Sequence, residues 1–101
     1  MRRHQTLRAA LEWSHHLLTD EERVVFRRLG VFAGGFTIEL AQAVASDAQL
    51  DEWAVLDHLS ALVDKSLVVA DAGDAPRYRL LESARAFALE QLAAADMADT
   101  V

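Results

Sequence analysis

Residue types suited to metal binding or hydrolysis lie close together near the start of the chain. His15 and His16 are adjacent, Ser14 precedes them, and an acidic triplet occupies residues 20–22. Neighbouring side chains on a helix point about 100° apart, so these groups would not converge on one atom. The chain contains no cysteine, which excludes thiolate-bound zinc. The sequence therefore predicts no metal site, no bound cofactor and no catalytic set, and the chain is not expected to be an enzyme.

The acidic triplet and the histidines have structural explanations. Thr19 stands three residues before Glu22, the spacing of a capping box at a helix start. Asp20 and Glu21 would lie in the first turn, where the helix dipole favours negative charge. The histidine pair is predicted to be solvated at the end of the preceding helix, where positive charge is favoured.

The glycine pair and the two tryptophans also have structural explanations. Gly34 and Gly35 are not followed by the Lys-Ser or Lys-Thr of a phosphate loop, which predicts a turn. Trp13 and Trp53 are predicted to be core or interface aromatics. Basic residues do not interleave with Trp53, and only Arg8 lies near Trp13, which disfavours stacking on nucleic-acid bases.

Charge is distributed unevenly along the 101 residues. Ten Lys and Arg against sixteen Asp and Glu give a formal net charge of −6. Residues 1–28 contain six Arg and four acids, whereas residues 29–101 contain four basic and twelve acidic residues. Neutralising phosphates needs the opposite balance, so free nucleic-acid binding is disfavoured. The sequence lacks an apolar run long enough to cross a bilayer, and the prediction is a cytoplasmic protein without membrane contact.

Apolar residues at helical spacing predict five helices, because hydrophobic residues make up 52% of the chain and Gly and Pro are few. Their predicted limits are an N-cap at Thr6 for the first helix, Thr19 for the second, Thr37 for the third, Asp51 or Glu52 to about Lys65 for the fourth, and Glu82 to about Ala94 for the last.

A β-hairpin is predicted between the last two helices. Residues 67–70 are apolar, and residues 77–80 alternate between arginine and an aromatic or apolar residue, so both segments are predicted strands. The polar run 71–76 between them predicts a turn. The fold class is therefore mainly α with a small β-hairpin, a winged-helix, helix-turn-helix-like domain. A plain helix bundle is the alternative from periodicity alone. The predicted division is a linker remnant at 1–5, the winged-helix domain at 6–94 and a frayed tail at 95–101.

The fourth helix occupies the position that reads DNA in a winged helix. A DNA reader should present Arg, Lys, Asn or Gln outward there. The polar residues expected to face outward are Glu52, Asp57, His58, Ser60 and Asp64, with Lys65 at the end. Arg77 and Arg79 of the wing are the compensating charges, and the face is predicted to repel phosphates.

Several segments together resemble the winged-helix region of bacterial STAND-type regulators, the signalling ATPases of LuxR or antibiotic-regulatory type that are related to NB-ARC proteins. The segments are RHQTLRAAL (3–11) followed by Trp13 and Ser14, FRRL (26–29), VFAGGF (31–36), LVDKSLV (62–68), RYRL (77–80) and LESAR (81–85). Their joint occurrence in this order covers residues 3 to about 93.

The resemblance implies a domain that follows a P-loop ATPase domain, so a parent protein would bind ATP or ADP outside this chain. In NB-ARC relatives a Met-His-Asp motif starts the closing helix, and its His contacts the nucleotide. The matching positions here are Leu80, Leu81 and Glu82. Leu81 cannot donate a hydrogen bond to phosphate, which argues against nucleotide contact by this position.

The leading functional hypothesis is a non-catalytic regulatory module that packs against nucleotide-binding and sensor domains of a larger regulator. Its candidate interdomain residues are Arg2, Arg3, Arg8, Leu81 and Glu82. The alternative is a stand-alone winged-helix regulator that binds DNA. Topology favours the alternative and charge opposes it.

Overall fold

The computed structural model describes residues 2–71 and 77–100, with side chains described for residues 8–71 and 77–95. The elements are α1 (Arg2–His16), α2 (Asp20–Leu29), α3 (Ile38–Ala45), α4 (Glu52–Asp64), β1 (Val69–Asp71), β2 (Arg77–Arg79) and α5 (Glu82–Thr100). The strands form an antiparallel hairpin in which Ala70 pairs with Tyr78. This order confirms the predicted mainly α fold with a small hairpin.

Three helices begin at the capping residues that the sequence predicts. Thr19 and Glu22 form the reciprocal capping box, in which the Thr19 hydroxyl accepts from the Glu22 N–H at 3.2 Å and the Glu22 carboxylate accepts from the Thr19 N–H at 2.9 Å. Thr37 caps α3 and Asp51 caps α4 in the same way through their side-chain oxygens. Each cap satisfies a helix N–H that would otherwise lack a partner.

Two helix limits differ from the prediction. Helix α1 begins at Arg2, so Thr6 lies inside the helix and is not its N-cap. Helix α5 continues to Thr100 because the alanine-rich end of the chain contains neither Gly nor Pro to stop it. Residues 2–5 and 95–100 are thus helical, where a linker remnant and a frayed tail were expected.

The first strand lies further along the chain than predicted. Leu67 and Val68 are buried core residues that precede β1, because the backbone turns back onto the end of α4 at Ser66. The N–H groups of Leu67 and Val68 both donate to the carbonyl of Leu62. The residues between the strands, 72–76, lie outside the described part of the chain, so most of the predicted turn is not tested.

Helix α2 lies at the centre of the fold and packs against α3, α4 and α5. The buried apolar residues form one cluster: Leu18, Val25, Phe26, Leu29, Phe36, Ala41, Ala45, Leu50, Val55, Leu59, Leu62, Leu67, Val68, Leu80, Ala84, Phe87 and Ala88. The hairpin joins this body through Phe36 and Tyr78, whose N–H and C=O groups exchange two hydrogen bonds of 2.8 Å. The core therefore fixes both α4 and the wing.

Helix α1 is held on the α2–α5 side of the core by its last turn. Arg23 donates to the carbonyl oxygens of His15 and His16 at 3.0 and 2.7 Å, which satisfies the end of the helix. His15 packs between Phe26 and Phe87, with ring centroids 5.9 and 5.4 Å away. The prediction of two solvated histidines is therefore wrong for His15, while His16 is exposed.

Candidate interaction surface

The outward side of α4 is the surface that a DNA reader of this fold would use. Asp51 sets the start of the helix by accepting the N–H of Ala54 at 2.8 Å. Val55, Leu59 and Leu62 are buried and fix which side faces the core. The opposite side carries a stripe of four exposed residues, Trp53, Asp57, Ser60 and Asp64. At 100° per residue these four fall within about 60° of one another. We call them the α4 stripe.

The α4 stripe is chemically unsuited to a phosphate backbone. Its two carboxylates would repel phosphate, and its members do not include the Arg, Lys, Asn or Gln that read base edges. Trp53 is 75% exposed, so most of its indole lies against solvent. A bare indole between acidic groups suits contact with a protein surface better than with a duplex.

The start of α2 extends the negative surface beside α4. The Nε2 atom of His58 lies 3.7 Å from a carboxylate oxygen of Glu21, and the His58 side chain is only 20% exposed. His58 therefore faces α2 and does not belong to the outward face on which the sequence placed it. Asp20, next to Glu21, is almost fully exposed, and one of its carboxylate oxygens lies 3.5 Å from the Arg23 guanidinium, which offsets part of its charge. The acidic character thus comes from two elements.

The end of α4 is tied to α2 by a partly buried charge pair. Lys65 donates to the Glu22 carboxylate at 3.0 Å, and Glu22 is only 7% exposed. Burial opposes the ionisation of Glu22, but hydrogen bonds from the Thr19 N–H and from Lys65 outweigh it and lower its pKa. Since Lys65 is paired with Glu22, much of its positive charge is offset and contributes little to the outer surface.

The wing offers less free positive charge than its sequence suggests. Arg79 donates to the Asp71 carboxylate across the hairpin at 3.2 Å, so its charge is offset by the partner strand. Arg77 is exposed and lies near Gly35. The guanidinium groups of Arg77 and Arg79 cannot balance the α4 stripe together with the acids of α2.

The residues predicted to form an interdomain patch do not gather in one place. Arg2 and Arg3 lie in the first turn of α1, and their side chains are outside the described part. Arg8 instead binds α5: it makes two 2.7 Å contacts with the Glu90 carboxylate and lies 5.1 Å from the centre of the Phe87 ring. The hydrogen bond from Arg8 lowers the pKa of Glu90.

Leu81 and Glu82 are exposed at the start of α5, next to the buried Leu80. Glu82 precedes the Arg8 partner Glu90 by eight residues, about 12 Å along the helix. The positions that match the Met-His-Asp motif are therefore one core residue followed by two surface residues. The two exposed residues, Leu81 and Glu82, lie apart from the place where Arg8 contacts α5.

The sequence left the place of the two tryptophans open and did not reveal the packing of His15. It predicted Trp13 and Trp53 to be core or interface aromatics; their exposures of 65% and 75% exclude the core, and the interface stays a prediction. The spacing of Trp53 and Asp57, one helical turn apart, was the available signal that both face outward. The burial of His15 gave no such signal, because it depends on α5 folding back onto α1.

In the part of the chain that the structure describes, every helix is too short or too polar to cross a membrane.

Comparison with known proteins relates most of the chain to one family. Residues 18–93 match a family model described as a winged helix-turn-helix domain, which confirms the predicted fold class. The match covers α2 to most of α5 and leaves α1 outside. No solved structure matches the chain.

Curated relatives come from mycobacteria. The chain is 53% identical over 100 residues to a protein named as an HTH-type transcriptional regulator in Mycobacterium tuberculosis strain H37Rv, covering 98% of this chain and 11% of that protein. A Mycobacterium bovis protein with the same description gives the same values. An uncharacterized M. tuberculosis protein is 45% identical over 103 residues, covering 100% of this chain and 26% of that protein. The chain thus spans about a tenth to a quarter of these relatives.

Proposed function

Because the chain belongs to the winged helix-turn-helix domain family, we propose that it is a non-catalytic regulatory module of a larger transcriptional regulator. In this proposal it works by packing against other domains of that protein in the cytoplasm. Helix α4 serves as a protein contact and does not enter a DNA groove. The winged-helix fold supplies the scaffold, and the side chains on α4 decide its use.

The observation that carries the proposal is the composition of the α4 stripe. A duplex presents closely spaced phosphates, and affinity for it comes largely from Lys and Arg that displace counterions. Asp57 and Asp64 would lie where those residues are needed. The overall charge of −6 acts in the same direction and weakens approach to DNA at long range.

The curated relatives support a regulatory role within a longer protein. About nine-tenths of the named M. tuberculosis relative lies outside the matched segment, so in that protein the segment is part of a much longer chain. We infer by resemblance that the parent is a STAND-type ATPase of LuxR type, with ATP or ADP bound by a separate P-loop domain. Nucleotide would then bias docked and released positions of this module, with a coupling of about 1–3 kcal/mol.

Two measurements test the choice between packing and DNA reading. A selection from random duplex DNA with the wild-type chain at about 0.15 M salt should enrich no sequence motif. Hydrogen exchange on the named M. tuberculosis relative should show slower exchange across the segment aligned with α4 in the whole protein than in the excised segment. An enriched motif whose binding requires α4, or equal exchange in both forms, contradicts the proposal.

The second candidate is a winged-helix regulator that binds DNA by itself. The fold and the description of the curated relatives as HTH-type regulators favour it. The same DNA selection decides between the two candidates, because a DNA reader would enrich a motif and lose it when salt is raised.

The starts of α1 and α5 are the places through which the module would contact neighbouring domains when it moves. Arg2 and Arg3 lie in the first turn of α1, and Leu81 and Glu82 lie at the start of α5, so the proposal assigns contacts with neighbouring domains to these two helix starts. Charge reversal of Arg2 and Arg3 in a full-length parent should change nucleotide retention and activation. Unchanged retention and activation would remove these two residues from the mechanism.

A further inference from the structure

We propose that the α4 stripe binds an arginine-bearing segment of a partner protein, with the guanidinium stacked on Trp53 and paired with Asp57. The inference rests on the proposed function, since it names the chemistry of the surface that α4 would contact. It goes further by stating which side chain the partner must bring.

The geometry of the stripe places an aromatic face and a carboxylate within reach of one cation. Trp53 and Asp57 are one turn apart on the same side of α4, and side chains at that spacing have Cβ atoms about 6 Å apart. Both are exposed, and the Asp57 carboxylate makes no hydrogen bond or ion pair with another side chain in the described part of the chain. A planar guanidinium can stack on an indole while its N–H groups donate to a carboxylate.

Charge complementarity selects a basic occupant. Asp64 continues the stripe, and Asp20 and Glu21 at the start of α2 add negative charge from the neighbouring element. The His58 contact with Glu21 leaves that carboxylate 63% exposed. A segment with further Arg or Lys residues would therefore be attracted along the surface, and an acidic segment or a nucleic acid would be repelled.

Arginine fits this pair of groups better than lysine does. Lysine is a compact, strongly hydrated charge, and arginine is planar, more weakly hydrated and able to donate two parallel hydrogen bonds. Trp and Arg are also the residues most enriched where binding energy concentrates in protein interfaces. The exposed Trp53 thus supplies the apolar contact, and Asp57 supplies orientation.

The chain contains a matched control for the exposed tryptophan. Trp13 is 65% exposed on α1, where its ring lies 6.5 Å from that of His16. It therefore has a similar exposed area next to a different chemical group. If any exposed indole were sufficient for binding, Trp13 and Trp53 would behave alike.

The experiment is a selection of random twelve-residue peptides displayed on phage against the full 101-residue chain, with a Trp53→Ala, Asp57→Asn double variant as counter-selection. Enriched peptides should contain arginine. In titrations of one synthetic winner, Trp53→Ala and Asp57→Asn should each weaken binding about tenfold or more, and Trp13→Ala should change it less than about twofold. Replacing the peptide arginine with lysine should also weaken binding severalfold. Circular dichroism verifies that the variants stay folded.

The outcomes separate this inference from the proposed function. No enrichment over the double variant, winners without arginine, or winners that tolerate loss of Trp53 overturn the inference and leave the packing role standing. A DNA motif that requires α4 in the duplex selection overturns the proposed function itself. If Trp13→Ala weakens binding as much as Trp53→Ala does, the specific site on α4 is also wrong.

Discussion

At the residue scale, the most unusual group is the imidazole of His15. It packs against two phenylalanine rings, and its Nε2 finds no hydrogen-bond partner among the described residues. Burial, and then the nearby charges of Arg23 and Arg27, lower its pKa. An open pocket of about 280 Å³ beside it is lined in part by Glu12 and His16, so a proton can still reach the ring. The neutral imidazole of His15 therefore joins α1 to the core, and its protonation in acid should weaken this packing.

The stability of the chain should fall as the pH drops from 7 to 5. The pKa of His15 is lower in the folded chain than its value of about 6.5 when unfolded, so in this range the unfolded chain binds more protons, and protonation favours unfolding. His15→Phe should remove much of this dependence and raise stability at pH 6 by about 1 kcal/mol, because it removes a buried polar atom without a partner.

Urea unfolding at several pH values measures this effect. His16→Phe is the matched control, since His16 is adjacent and exposed and should leave the pH dependence in place. Glu22 does not confuse the result, because its pKa is lowered from 4.5 and its stabilising contribution is lost only at more acidic pH. An unchanged pH profile in His15→Phe would contradict the assigned role.

Ser66 carries a local strain that a single substitution should relieve. It follows the end of α4 with φ of 64°, a left-handed conformation that costs a residue with a Cβ about 1 kcal/mol. Its N–H donates to the carbonyl of Val63, and the N–H of Leu67 donates to that of Leu62, so the turn closes the helix as glycine turns do.

Ser66→Gly should raise the free energy of unfolding by about 0.5–1 kcal/mol, as measured by thermal or urea unfolding. Ser60→Gly is the control: it makes the same change inside α4, where glycine should cost about 0.5 kcal/mol relative to serine. Both variants replace one serine with glycine and so have the same composition. Stabilisation by one and destabilisation by the other would therefore come from the position of the serine. A destabilised Ser66→Gly would show that the Ser66 side chain, and not its backbone, matters at the turn.

At the element scale, α2 and α5 approach each other closely at the end of α2. Gly30 caps α2, and a Cβ placed there would lie 3.0 Å from Cβ of Ala88 and 3.2 Å from the Arg27 carbonyl oxygen. The backbone of Gly30 has ordinary helical angles, with φ of −61°. The requirement for glycine is therefore one of space between two helices.

Gly30→Ala should destabilise the fold by about 1–2 kcal/mol, because the added methyl group must push α5 away from α2 in a tightly packed region. Gly34→Ala provides the control, since nothing lies within 4 Å of a Cβ placed at that position. Urea unfolding of the two variants gives the comparison. A stabilised Gly30→Ala would mean that α5 moves aside at no cost and that the contact does not set its position.

The starts of helices could be predicted where a side chain marks them directly. Thr19, Thr37 and Asp51 each hydrogen-bond to an N–H within the next three residues, so local sequence contains the whole signal. Thr6 failed as such a marker because α1 continues ahead of it to Arg2, through residues that suit a helix. Local signals thus locate helix starts only where the preceding residues do not also favour a helix.

At the scale of the whole molecule, the sequence predicts the α4 stripe better than it predicts the contact between Arg8 and Glu90. The acidic side of α4 was predictable, because the buried Val55 and Leu59 fix the orientation of a regular helix from its own sequence. The contact of Arg8 with Glu90 joins residues 82 positions apart, so only the docking of α1 on α5 reveals it. The sequence alone therefore predicts an interdomain role for Arg8, whereas in the structure its guanidinium pairs with Glu90 of α5.

The fold is that of a winged helix, in which α4 has the position of a DNA reader, and the acids of the α4 stripe and the net charge of −6 oppose that use. Asp57→Arg with Asp64→Arg changes the net charge from −6 to −2 and places two guanidinium groups on the α4 stripe. The double variant should gain weak, sequence-independent affinity for duplex DNA, measured by fluorescence anisotropy. The affinity should fall with salt, with a logarithmic slope up to about 2 greater than that of the wild type, because each new phosphate contact releases condensed counterions.

A variant of equal net charge separates the effect of position from that of total charge. Glu12→Arg with Glu82→Arg also brings the chain to −2, but the new charges lie on α1 and at the start of α5. If both double variants bind DNA equally, total charge alone controls the interaction, and the position of the new arginines on α4 makes no difference. If only the α4 variant binds, then the winged-helix scaffold still presents α4 to a groove. In that case Asp57 and Asp64 are what oppose DNA binding by this domain.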